Sequence, residues 1–210
     1  ALAEPLIAED EARRYVTETA LRLPGAEGAT LSAVLVRPRA GARLTSLLQF
    51  TIYADPVQAL ADARQMAIHG YAGMVAFTRG KGPGASGPVR PFEHDGADAR
   101  AVIEWLAAQP WSDGRVGMFG GSYNSFAQWA AAKHRPPALR ALATSASAAP
   151  GIDVPMEGNV FLNFMIPWPL YAASGAAMDD AGYADRARWE RLDRRWYAAG
   201  AAYRELDRLD

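Results

Sequence analysis

Apolar and polar residues alternate with a period of two from Tyr15 to Leu23 and again from Thr30 to Arg37, on either side of the turn-forming run PGAEG. That pattern predicts two half-buried strands joined as an antiparallel hairpin at a sheet edge. A loop follows from Pro38 to Arg43. Ser46 to Tyr53 and Tyr71 to Thr78 are denser in apolar residues, as strands covered on both faces are. Between them Asp55 and Pro56 open a helix whose inward face reads Val57, Leu60, Ala63 and Ala67 and which closes at His69-Gly70. A second helix is predicted over Asp95 to Ala108, with Val102, Ile103 and Leu106 inward and Gln109-Pro110 as its stop. Then a short apolar strand, Val116 to Phe119, meets a Gly-Gly-Ser-Tyr turn that runs directly into a third helix. Leu139 to Ser145 reads as another buried strand.

Strands alternating with helices after a leading hairpin define an α/β protein whose sheet is mostly parallel. Such sheets bind ligands beyond the carboxyl ends of their strands. Ser122, Tyr53, the RGKGPG loop and the segment after Ser145 all fall at that edge. After Ala149 the texture changes: residues 150 to 175 mix Pro, Met, Trp, Phe and Tyr without alternation. Arg186 to Asp210 is amphipathic, with Trp189, Leu192, Trp196, Tyr203 and Leu206 on the apolar side and an interruption near Gly200. Residues 1–149 are therefore read as the N-terminal part of a sheet domain, and 150–210 as the start of a helical cap, so that the chain reads as truncated.

The 210 residues suffice for one domain with a sizeable core. Basic and acidic residues number 22 and 23, so no overall field draws the chain to nucleic acid or to an anionic membrane surface. No run reaches the roughly 18 apolar residues of a membrane span. The absence of cysteine removes thiolate chemistry, disulfides and Cys-based metal sites. The N-terminal ALAEPLIAED is not a signal segment, although Ala1-Leu2-Ala3 has the look of a cleavage-site remnant or a trimmed end. No spacing implies a metal or an organic cofactor.

The candidate chemistry sits in GRVGMFGGSYNSFAQ, residues 114–128. A serine on a strained strand-to-helix turn has its hydroxyl held clear of the sheet. Ser122 is the candidate nucleophile, and the backbone N–H of Tyr123 points where an oxyanion forms. A plain turn with Ser122 as helix cap is the competing account, and the strict G-x-S-x-G pattern is not met, because Asn124 and Ser125 follow Tyr123. Gly82 to Gly87 matches G-x-G-x-x-G, but Pro88, Val89, Arg90 and Pro91 follow where a dinucleotide site needs a helix start. It reads instead as a pocket rim. Of His69, His94 and His134, only His134 follows Ser122, and it lies about 18 Å along the helix at 1.5 Å per residue. The chain thus supplies a nucleophile without a base.

The run HDGADARAVIEWLAAQPWSDGRVGMFGGSYNSFAQWAAAKHRPPALRALATSASAAPGIDVPMEGNVF resembles the X-prolyl dipeptidyl aminopeptidase and cocaine esterase family of α/β-hydrolases. Trp111, Asp113, Gly114, Val116, Gly117, Gln128 and Trp129 fit the family pattern around the elbow; Ser125 stands where the family has glycine. The resemblance extends from about Tyr15 to the end and is specific over Arg79 to Phe161. It implies an α/β-hydrolase fold with Ser122 as acylated nucleophile, Tyr123 N–H and Tyr53 O–H as the oxyanion hole, and a triad acid and histidine further downstream. A small-molecule or short-peptide substrate, ester or amide, is expected. Asp153 and Glu157, just past the strand after the elbow helix, are candidates to pair with a substrate amine. Phe161, Phe164, Trp168 and Tyr171 are candidates to wall an acyl or prolyl pocket. Solvated cap charges and cap packing are the alternatives, and a binding module that has lost its base is the alternative to an enzyme.

Overall fold

The computed structural model describes residues 3–40, 43–85, 87–202, 205 and 208. A helix not read from the sequence, α1 (Ala3–Arg14), precedes the hairpin β1 (Tyr15–Pro24) and β2 (Thr30–Pro38). Then come β3 (Leu44–Thr51), α2 (Pro56–Ile68), β4 (Ala72–Phe77), α3 (Asp95–Ala107), β5 (Ser112–Gly121), α4 (Tyr123–Ala132) and β6 (Leu139–Ser145). The six strands form one sheet in the order β1-β2-β4-β3-β5-β6. Its first two pairings are antiparallel and the rest parallel.

The period-two pattern divides each strand between two cores. Leu31, Ala33 and Leu35 of β2, with Met74 and Ala76 of β4, pack against Ala99, Val102, Ile103 and Leu106 of α3 and Ala127 and Ala131 of α4. On the opposite face Val34, Val36, Val75 and Phe77 meet α2. Helix α2 starts where Asp55 accepts hydrogen bonds from the N–H groups of Val57 and Gln58, at 2.9 and 3.0 Å, with Pro56 as the first helical residue. Its inward face is Ala59, Ala63, Met66 and Ala67, and Val57 is exposed. The predicted stripe begins at Val57, two positions before Ala59, because an apolar residue in the capping turn looks like part of the face. At Gly73 the helix touches the sheet, and a Cβ there would stand 2.3 Å from the Ala63 carbonyl oxygen.

β6 is a correction of another kind. Its apolar composition predicts a buried strand; within these 210 residues it is the last in the sheet order and most of its residues are exposed. Composition reports that a strand tolerates burial; it does not say whether anything covers it.

Beyond β6 no further residue joins the main sheet among the described residues. A two-strand ribbon, β7 (Met156–Glu157) and β8 (Val160–Phe161), leads to the helices α5 (Pro167–Ala173), α6 (Asp180–Ala184) and α7 (Arg186–Ala199). Leu192 and Trp196 of α7 pack on Ile166, and α7 stops at Gly200 in the left-handed conformation. Tyr203 and Leu206 of the predicted amphipathic stretch lie outside the described residues. No described helix is long and apolar enough to cross a membrane.

Asp98 ties the hairpin to this framework. Its buried carboxylate takes both prongs of Arg79 at 2.9 and 3.0 Å and the N–H of Ala26 at 2.8 Å. Removing one partner of such a pair leaves the other charge uncompensated, at a cost of about 3 kcal/mol or more. Asp98→Ala should lower the denaturation midpoint accordingly, with little change in the denaturant slope. A loss below a few tenths of a kcal/mol would show that Arg79 re-pairs at no cost, with Glu27, which lies 3.5 Å away, as the available partner.

Candidate active site

The carboxyl ends of β3, β4, β5 and β6 lie along one edge, with Thr51 beside Phe77 and Gly121 beside Ser145. β5 ends there in a turn that brings α4 very close. A Cβ on Gly120, at φ 132°, would stand 2.6 Å from the Asn124 Cβ, and one on Gly121 would stand 2.8 Å from the Ser145 Oγ. Only glycine fits. Ser122 follows at φ 55°, ψ −123°, a backbone region L-residues avoid and hold only when the surroundings impose it. The constraints are visible: Ser122 N–H donates to the Ser145 carbonyl at 3.0 Å, and its own carbonyl accepts from Ser125 and Phe126. Its side chain is exposed. Tyr123 N–H is the first of α4, where helical geometry offers no acceptor.

Gln128 braces the turn from inside. Fully buried, it donates through Nε2 to the carbonyls of Gly120, Asn124 and Ala143 at 3.0 to 3.3 Å. Ser125, where the family resemblance expects glycine, is likewise fully buried. Its hydroxyl has no hydrogen-bond partner among the described residues.

Tyr123 is anchored by its side chain. Its hydroxyl donates to Asp95 at 2.8 Å and accepts from the N–H of Phe92 at 3.0 Å, while Thr78 donates to the other Asp95 oxygen at 2.8 Å. Burial pushes the Asp95 carboxyl's pKa up, against the pull of its two hydroxyl donors. Burial, reinforced by the Asp95 carboxylate, also raises the Tyr123 phenol's pKa, so the phenol stays a neutral donor. Sequence reasoning missed Thr78, Asp95 and Phe92. A signal was present, since Asp95 and Asp98 share the helical stripe of Val102, Ile103 and Leu106, and carboxylates on an apolar stripe must be paired.

Tyr53 stands two residues past β3. Its backbone is held by the Thr51 hydroxyl and by Asp55 N–H. Its hydroxyl accepts a hydrogen bond from Trp168 Nε1 at 3.2 Å, leaving the phenolic proton free to donate. Tyr53, Ser122, Tyr123, Phe92, Phe164 and Trp168 line one small cavity of about 40 Å³.

The other candidates lie elsewhere. Asp153 accepts the Ala149 N–H at 2.7 Å and Glu157 is exposed on β7; neither lines the cavity. Phe161 of β8 packs on Trp196 and Tyr171 of α5 on Tyr183, with ring centroids 4.9 and 4.4 Å apart; neither lines the cavity, although Tyr171 is near enough to Tyr53 for the two phenols to interact. His69 ends α2, His94 precedes α3 and His134 lies past the end of α4, all off the cavity wall. No cluster of His, Asp and Glu able to hold a metal ion occurs among the described residues.

The RGKGPG loop has a structural duty. No helix opens after it before α3, and Ser86 lies outside the described residues. Buried Lys81 donates to the carbonyls of Gly175 and Ala177, both at 2.8 Å, and Gly82 N–H donates to Ala176. The loop thus straps the connection between α5 and α6 to the sheet edge. Burial brings the Lys81 pKa from its ordinary 10.5 down to about 8. A neutral amine still has two N–H groups for its two carbonyls. Between pH 8 and 10.5 the unfolded chain binds the extra proton, so the stability this residue contributes rises with pH across that window and is flat outside it. Unfolding free energy should therefore climb less between those pH values in Lys81→Met than in wild type. Parallel pH profiles would contradict the buried, desolvated lysine.

A mostly parallel sheet with an antiparallel start, helices on both faces, and a serine on a strained turn after the fifth strand define the α/β-hydrolase fold. Solved structures agree. An α-amino acid ester hydrolase is 23% identical with a TM-score of 0.65, over 90% of this chain and 38% of that one. An aminopeptidase from a marine sediment Thaumarchaeota archaeon is 19% identical with a TM-score of 0.63, over 78% and 31%. Within that class, residues 27–209 match the X-Pro dipeptidyl-peptidase (S15 family) model, and the chain belongs to that family. It is also 32% identical over 150 residues to a cocaine esterase of Rhodococcus sp. (strain MB1 Bresler), covering 69% of this chain and 26% of that protein. The chain thus spans about a quarter of the length of that relative.

Proposed function

We propose that the protein containing this chain is a serine acyl hydrolase acting on an ester or amide. The observation that carries this reading is the exposed Ser122 at φ 55°, beside Tyr53 on the wall of one cavity. Ser122 Oγ attacks the substrate carbonyl, and the tetrahedral oxyanion receives hydrogen bonds from Tyr123 N–H and Tyr53 O–H. Collapse expels the alcohol or amine and leaves an acyl-enzyme, which water hydrolyses to the acid. The base that takes the Ser122 proton and returns it to the leaving group is not His69, His94 or His134, all of which stand off the cavity, and would come from outside these 210 residues.

Membership of the S15 family and likeness to an esterase support hydrolysis at this site; they leave amide and ester open. Amide cleavage demands protonation of a poorer leaving group. A panel of X-Pro anilides and aryl esters, assayed on the protein expressed from its complete reading frame, separates the two. The mechanism itself is tested with a fluorophosphonate, which phosphonylates an activated serine. Peptide mapping should place the adduct on Ser122. Labelling elsewhere, or none alongside measurable hydrolysis, would refute the assignment.

A further inference from the structure

Two cavities meet at Phe92, which among the described residues is the one that lines both. On one side is the cavity at Ser122, of about 40 Å³. On the other is a groove of about 340 Å³ between the start of α3 and the second half of α4, lined by Gly96, Ala97, Phe126, Trp129 and Ala130 together with the polar Glu93, Lys133 and His134. The cavity at Ser122 is small and opens to solvent. A sizeable apolar group on the substrate extends beyond it, and the groove is a second, partly apolar space that has Phe92 as a common wall.

Phe92 itself is held unusually. Its backbone is in the left-handed region at φ 69°, a genuine outlier for a bulky side chain. Its N–H is fixed on the Tyr123 hydroxyl at 3.0 Å. The ring lies among Tyr123, Phe126 and Trp168, at centroid distances of 4.9, 4.9 and 5.8 Å. Strain of this kind persists at ligand clamps, where surrounding contacts over-determine it. Here those contacts fix the ring in the wall the two cavities share, while the backbone is held in place.

We infer that Phe92 is a specificity-determining partition: its ring closes the Ser122 cavity against the α3–α4 groove, and the groove receives the apolar substituent of the ester when that ring is displaced or shortened. This rests on Ser122 being the nucleophile. Two ester series distinguish which end of the substrate enters: p-nitrophenyl acetate to hexanoate varies the acyl chain, and methyl to hexyl acetates vary the alcohol.

In the complete protein, Phe92→Ala should raise the ratio of kcat/KM for the hexyl-length over the shortest substrate, in one of the two series, by on the order of 10- to 100-fold. Adding Ala97→Phe, which fills the groove from α3, should reverse that gain. Phe92→Leu retains more of the packing and should shift the ratio in the same direction, so the test survives if Phe92→Ala does not fold. Unchanged ratios in both series for a folded Phe92 variant would overturn the partition. So would a gain that Ala97→Phe does not reverse. A Ser122→Ala control separates the two readings: retained hydrolysis there refutes the nucleophile, whereas abolished hydrolysis with unchanged Phe92 ratios refutes only the partition.

Discussion

Ser122→Ala is expected to reduce ester hydrolysis by the complete protein on the order of 10⁴- to 10⁶-fold, the range seen when a serine nucleophile is removed from an otherwise intact site. The geometry explains why little else should change. Ser122 makes its structural hydrogen bonds through the backbone, donating to Ser145 and accepting from Ser125 and Phe126. Alanine keeps all three, as well as the Cβ that the left-handed backbone already tolerates. Stability should therefore hold within about 0.5 kcal/mol, as for surface substitutions away from special features, and affinity for an unreactive ligand should be preserved. A binding module that has lost its base makes a different forecast. Wild type would be as inactive as the variant, and fluorophosphonate would label neither. If the variant kept a tenth of wild-type kcat, Ser122 would not be the nucleophile, whatever its backbone angles.

The turn that makes this forecast possible was legible because it is local. Two glycines, a serine and a small-residue helix after an apolar strand admit few backbone paths, and φ 55° at Ser122 is one the sequence already implied. The α/β layering was legible for a related reason, since period-two strands and period-3.6 helices carry their own pattern. What failed was whatever depended on distant partners. β6 has the composition of a buried strand, and whether it is covered depends on what packs beyond it, which its own residues do not encode. Asp95 and Asp98 look like ordinary acids in a first helical turn, favoured there by the dipole. Their hydroxyl and guanidinium partners, Thr78 and Arg79, belong to the segment after β4. Lys81, inside a loop that resembled a dinucleotide motif, is defined by carbonyls more than ninety positions away at Gly175 and Ala177. Tyr53 was placed at the edge by its strand, but the tryptophan that orients its hydroxyl belongs to α5.

That last contact sets the second large effect. Tyr53→Phe should lower kcat by roughly 10²- to 10³-fold, about 3 to 4 kcal/mol, the usual consequence of losing one of two oxyanion donors. KM should change little, because the lost hydrogen bond matters mainly when charge develops on the substrate oxygen. Phenylalanine keeps the ring and its edge contact with Tyr123, at a centroid distance of 6.4 Å, so the cavity shape survives. Trp168 Nε1–H donates to the same oxygen, which directs the phenolic proton toward the site and, through hydrogen-bond cooperativity, strengthens it as a donor. Trp168→Phe should then cost kcat less than Tyr53→Phe does. In the Tyr53→Phe background it should cost almost nothing more, because the group it positions is gone. A double-mutant cycle reads this directly. Additive losses would mean that Trp168 acts on the substrate and not through Tyr53, and a silent Tyr53→Phe would leave the oxyanion to the backbone of α4 alone.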